Sequence, residues 1–161
     1  MIQYTDTLTR KAYAKINLGL DVIGRLENGY HQVRMIMQTV GIYDVLTFAP
    51  AESGIRISMD GGELPTGEDN LIYKAARLLM EAGGVKAGAD IHLEKHIPIA
   101  AGMAGGSSDA AATLLGLNEL LGLGFFFFQL RQLGVRIGAD VPYCIMGGTA
   151  LAAGRGEVLT P

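Results

Sequence analysis

The sequence predicts an α+β fold, and three observations carry that prediction. Apolar and polar side chains alternate with period two at Ile55 to Met59 and again at Ala89 to Leu93, the pattern of half-buried strands. Between those runs, Leu71, Ile72, Ala75, Ala76, Leu78 and Leu79 recur at helical spacing. Beyond them a glycine-rich stretch leads into small, helix-favouring residues. Strands come early and helices later, on one sheet.

Taken in order, Arg10 to Leu20 suits a strand and Val33 to Phe48 a second, with Asn28-Gly29 as a hairpin-type turn between them. Ile55 to Met59 is the third strand. A helix follows over Asn70 to Ala82, with Thr66 or Asp69 near its start and Gly83-Gly84 ending it. After the strand Ala89 to Leu93, a helix is expected over Ser108 to Leu121, capped by Ser107, Ser108 or Asp109 and stopped by Gly122. A short helix from Phe126 to Leu133, a strand from Val141 or Pro142 into Met146 and a last strand over Thr149 to Ala152 complete the reading.

Composition bounds the function. A chain of 161 residues, 49% hydrophobic and 18% charged, is long enough for one packed domain and too short for two ordinary ones. A net charge of −3 with scattered basic residues gives no global attraction to nucleic acid or to an anionic membrane, so an anion site must be local. The apolar stretch from Leu114 to Phe128 is interrupted by Asn118, Glu119 and glycines and does not read as a membrane span. With no signal-type apolar segment, a cytoplasmic location is the default. The one cysteine, Cys144, stands among apolar neighbours and reads as a buried thiol.

The most informative segment is Pro98-Ile99-Ala100-Ala101-Gly102-Met103-Ala104-Gly105-Gly106-Ser107-Ser108-Asp109, running into Ala110-Ala111-Ala112. Glycines and alanines let a ligand approach the main chain, and the following helix turns its unpaired N–H groups and positive dipole end towards the loop. It reads as a phosphate cradle, with the Ser107 or Ser108 hydroxyl available to an oxygen. No lysine follows the glycines as a Walker loop requires, and the dinucleotide fingerprint is also absent. A flexible turn before a tightly packed helix is the plain alternative.

This segment resembles the second motif of the GHMP kinases, small-molecule kinases whose glycine-rich loop covers the ATP phosphates. Ala14-Lys15-Ile16-Asn17-Leu18-Gly19-Leu20, Gly29-Tyr30-His31 and Gly138-Ala139-Asp140-Val141-Pro142 match the family in the right order, so the resemblance spans nearly the whole chain. It implies a two-layer sandwich of the ribosomal-protein-S5-like type, ATP with Mg²⁺, and transfer of the γ-phosphate to an alcohol. It also implies a second, carboxy-terminal domain beyond this amino-terminal, ATP-binding one at 1–161. By the same resemblance Asp140 is the general base and Lys15 its partner, keeping it ionised and polarising the substrate hydroxyl. Residues Pro98 to Ser108 bind ATP phosphates, and Asn70 lies near the adenine. The Tyr30-His31 pair points within the family to a small cytidyl substrate, with Tyr30 stacking on the base, His31 bonding its polar edge and Asn17 close by.

Each residue also has a plainer reading. Asp140 suits a turn or cap, Asn70 a helix cap, Lys15 and Asn17 a solvated strand face, and Tyr30 and His31 an exposed turn. His92, Glu94, Lys95 and His96 suggest a metal site only weakly; His92 and Glu94 fit the polar face of a strand. A kinase for homoserine or mevalonate, or an inactive nucleotide-binding fragment, stays open beside the cytidyl reading. Phe125-Phe126-Phe127-Phe128 departs from the family, which implies a polar, acidic stretch there, and exposed rings would favour aggregation.

Overall fold

A computed structural model of the chain describes residues 7–25, 31–60, 66–99, 103–154 and 156–161. Two long strands, β1 (Leu8–Arg25) and β2 (His31–Ala51), pair antiparallel from Leu8 opposite Phe48 to Arg25 opposite His31. Both are longer than the sequence suggests, and the Asn28-Gly29 turn lies outside the described residues. Strand β3 (Ile55–Asp60), helix α1 (Leu71–Ala82) and strand β4 (Gly88–Glu94) form a crossover unit, with β3 and β4 parallel. Helices α2 (Gly105–Leu120), α3 (Phe127–Val135) and α4 (Val141–Met146) follow, then strands β5 (Thr149–Gly154) and β6 (Val158–Thr160). The sheet order is β3-β4-β2-β5-β6, with β1 along the other edge of β2.

The helices cover one face of this sheet. Ala12, Leu46, Phe48, Ile91 and Leu93 from the strands share a buried cluster with Ile72, Ala75, Leu79, Ala111, Leu114 and Leu117 from α1 and α2. Helix α2 approaches closely because Gly116 has no side chain; a Cβ there would lie 2.4 Å from the Phe48 ring. On the opposite face of β3 and β4 the side chains are polar. Arg56 pairs with Asp90 at 2.8 Å, while His92 bridges the Ser58 hydroxyl and the Asp60 carboxylate at 2.7 and 2.9 Å. His92 and Glu94 therefore sit on a polar strand face as expected, and the two-layer α+β architecture is the one the sequence predicts.

Two expectations need correction. Residues Val141 to Met146 form helix α4 instead of a strand. An apolar run this short has no decisive period when both sides are covered, and Pro142 in the first turn gives up no helical hydrogen bond. Helix α2 begins at Gly105, before the three proposed caps, and its N-cap is Ala104 with no side-chain capping bond. Helix α1 starts just after Thr66 and Asp69 as expected, and its cap is Asn70, whose Oδ1 accepts from the Ile72 amide at 2.8 Å. The phenylalanine run behaves as feared in part: Phe125 packs on the core, while Phe126, Phe127 and Phe128 are exposed.

Candidate active site

The glycine-rich loop delivers the chain to α2 through Ala104, a non-glycine residue in the left-handed region at φ 57°. The Ser108 amide makes the first helical bond, to the Ala104 carbonyl at 2.8 Å. The amides of Gly105, Gly106 and Ser107 precede that bond and have no helical acceptor. No acidic residue occupies the first turn. This end of α2 is therefore chemically suited to an anion. Pro98 and Ile99 are exposed and Met103 to Ser107 half-buried; Ala100, Ala101 and Gly102 lie outside the described residues.

Two further segments meet this helix end. The Lys15 amide donates to the Met103 carbonyl at 3.1 Å, and the Ser108 hydroxyl donates to the Tyr13 carbonyl at 2.6 Å, so β1 is tied to the loop. Ser108 is thereby turned into the core and Ser107 is the more open hydroxyl. A Cβ on Gly138 would lie 3.8 Å from the Ser107 Oγ, which places the Gly138-Ala139-Asp140 turn against the same helix. Lys15 is buried, and its ammonium donates to Asn17 Oδ1 at 3.1 Å, so these two residues share a face as their spacing requires.

Asp140 stands at the N-cap of α4, where its backbone makes the first helical bond. Its carbonyl accepts from the Cys144 amide at 3.1 Å, and its half-buried carboxylate makes no capping bond. Among the described residues, no ion pair engages that carboxylate. Lys15 and Asp140 both bear on Cys144: burial pushes the thiol up to about 12, the Asp140 charge adds to that, and Lys15 opposes it. Cys144 is thus the inert thiol expected of it. The ion pairs among the described residues do not include Lys15 with Asp140.

The remaining sequence-predicted residues are placed less fully. Asn70 caps α1, its plainer reading, although α1 starts beside the loop helix; a Cβ on Gly106 would lie 3.3 Å from Leu71 Cδ1. His31 begins β2 opposite Arg25. Tyr30 lies outside the described residues.

Sequence reasoning missed a buried charge cluster at the root of the loop. Lys95, Asp44 and Asp109 have side chains 4%, 0% and 1% exposed, and the Lys95 ammonium reaches Asp44 Oδ2 at 2.7 Å and Asp109 Oδ2 at 3.3 Å. Asp44 Oδ1 accepts from the amides of His96 and Ile97 at 2.6 and 2.8 Å. Burial works against the Asp44 charge, but hydrogen bonds from Asp109, the Ile97 amide, Lys95 and the His96 amide outweigh it and hold its pKa below the usual value. Burial and the neighbouring Asp44 push Asp109 up to about 9, against the pull of Lys95. Asp109 Oδ1 is buried and accepts no hydrogen bond from the described residues, which disfavours a charge there. The group therefore holds one cation, one carboxylate and one neutral acid. The available signal was Asp44 itself, which alternates with core-facing Leu46 and Phe48 and so puts a charge on the buried side of β2.

With this α+β sandwich and a glycine-rich loop leading into a helix without a side-chain cap, the chain belongs to the GHMP kinase family. A family model for the GHMP kinases N terminal domain matches residues 70–148. The chain is 56% identical over 157 residues to a 4-diphosphocytidyl-2-C-methyl-D-erythritol kinase of Lachnoclostridium phytofermentans, covering 97% of this chain and 54% of that protein. A crystal structure of 4-(cytidine 5'-diphospho)-2C-methyl-D-erythritol kinase superposes with a TM-score of 0.84 at 42% identity, over 96% of this chain and 55% of the other. Homoserine kinase from Cytophaga hutchinsonii shares the fold, with a TM-score of 0.72 at 22% identity over 94% of this chain and 50% of its own. The chain spans about half the length of the curated relatives it matches. Among the described residues, no helix is long and apolar enough to cross a membrane.

Proposed function

We propose that this chain is the ATP-binding part of a kinase that transfers the ATP γ-phosphate to the 2-hydroxyl of 4-diphosphocytidyl-2-C-methyl-D-erythritol, in non-mevalonate isoprenoid precursor synthesis. The observation that carries the reading is the meeting of three segments at one helix end: the loop, Lys15 of β1 and the Gly138–Asp140 turn. The similarity to relatives with that activity supports the choice of substrate.

In this reading the loop from Pro98 to Ser108 holds the triphosphate through backbone N–H groups at the start of α2. That end fits an anion, having neither a side-chain cap nor an acid in its first turn. Mg²⁺, arriving with ATP, offsets phosphate charge. Asp140 takes the proton of the substrate hydroxyl as its oxygen bonds to the γ-phosphorus and the bond to the β-phosphate oxygen breaks, releasing ADP. Lys15 favours the ionised form of that base and polarises the hydroxyl. Asn17, which already holds the Lys15 ammonium, aligns it with the substrate. Tyr30 and His31 select the cytosine, by stacking and by hydrogen bonds, and Asn70 sits near the adenine from the start of α1. The protein works in the cytoplasm.

The test is phosphorylation of the cytidyl substrate followed by phosphorus NMR, using this chain and a version extended to the full length of its relatives. A new phosphate monoester at the 2-hydroxyl supports the assignment. Transfer to homoserine or mevalonate, with none to the cytidyl substrate, would replace it and remove the roles given to Tyr30 and His31.

A further inference from the structure

We propose that Lys95, Asp44 and Asp109 are positioning residues that clamp together the two roots of the glycine-rich loop and so set its affinity for a nucleoside triphosphate without touching the ligand. The inference rests on the phosphate-loop reading above. Its ground is connectivity. Asp44 on β2 holds the incoming root through the amides of His96 and Ile97, and Asp109, one turn into α2, holds the outgoing root. Lys95 joins the two carboxyl groups. The segments that enter and leave the loop are thereby joined at one cluster.

The packing leaves little slack. A Cβ on Gly105, the first residue of α2, would lie 2.8 Å from the Lys95 Nζ and 3.1 Å from Ile97 Cγ2, so the outgoing root rests directly on the clamp. With no solvent access, none of the three side chains can meet substrate, and the ammonium fills the space between the carboxyl groups where a cation would otherwise sit. What remains to them is control of shape. A fixed loop presents its N–H groups in one arrangement, and a loop already ordered loses less entropy on binding.

The experiment measures hydrogen exchange and calorimetric ATP–Mg²⁺ affinity in the 161-residue chain and in Asp44→Asn, Lys95→Met and Asp109→Asn variants. Asp44→Asn and Lys95→Met should speed exchange in segments 96–99 and 103–108 about tenfold more than in α1, and weaken ATP about tenfold. Asp109→Asn, whose amide imitates the neutral acid, should stay within about threefold in both readouts. If Asp44→Asn fails to fold, Gly105→Ala displaces Lys95 with every charge retained and should give the same local pattern. Unchanged exchange at the loop roots overturns the clamp whether or not ATP binds. Faster exchange with unaltered ATP affinity overturns the link to affinity and leaves a purely structural cluster. Failure of the unsubstituted chain to bind ATP instead overturns the phosphate-loop reading.

Discussion

The molecule sets a closed grouping, Lys95 with Asp44 and Asp109, against an open one, Lys15 and Asp140, whose members form no ion pair with one another. Lys95, Asp44 and Asp109 are sealed from water and paired with one another at 2.7 and 3.3 Å. Lys15 is buried but leans on the neutral Asn17, and Asp140 keeps a half-buried carboxylate with no capping duty. A paired, dry cluster fixes geometry because separating it leaves a charge stranded. A carboxylate with no capping duty can exchange a proton with something that arrives. On the proposed reading, the first grouping sets shape and the second carries the chemistry.

The largest effect should come from breaking the closed grouping. Asp44→Asn removes the carboxylate that answers Lys95 and two backbone amides, and should cost about 3–5 kcal/mol in urea unfolding, the range for stranding one member of a buried pair. Gly105→Ala should cost about 1–3 kcal/mol, because the added methyl must push the Lys95 ammonium and Ile97 aside. Ala104→Gly should change stability by about 1 kcal/mol at most, in the stabilising direction, since glycine takes φ 57° without a Cβ penalty.

Titration sharpens the contrast with an effect that is sloped in pH. The Asp109 pKa is raised from 3.8 to about 9, so the folded state holds this proton more tightly than the unfolded chain does. Its contribution is complete below the unfolded value and is lost as pH rises towards about 9. Asp44, with a lowered pKa, works the other way and loses its contribution only in acid. Chemical denaturation from pH 5 to 9 should show stability falling with pH in the parent and a flatter profile in Asp109→Asn. Identical profiles would mean that Asp109 carries no bound proton.

Much of the open grouping was legible in the sequence and almost none of the closed one. The glycine-rich loop, Lys15 and Asp140 stand in local motifs, and α1, β3 and β4 follow clear periods, so each could be read from neighbours a few positions away. The closed cluster joins residues 51 and 14 positions apart, and no local pattern announces such a contact. Asp109 even invited a wrong reading: an aspartate near a helix start resembles a cap, yet the helix begins earlier and buries it. Helix α4 was hidden for a related reason, since Val141, Pro142, Tyr143 and Ile145 are all buried and leave no polar face to set a period.

The most direct measurement is phosphate transfer from ATP to the cytidyl substrate by the full-length protein carrying Asp140→Asn, with its melting temperature taken alongside. A rate about 10²–10⁴-fold lower at an unchanged melting temperature is expected if this carboxylate takes the proton as proposed, since its side chain makes no helix cap. A variant that keeps its rate, or one that loses it only by unfolding, would contradict the assignment of chemistry to the open grouping.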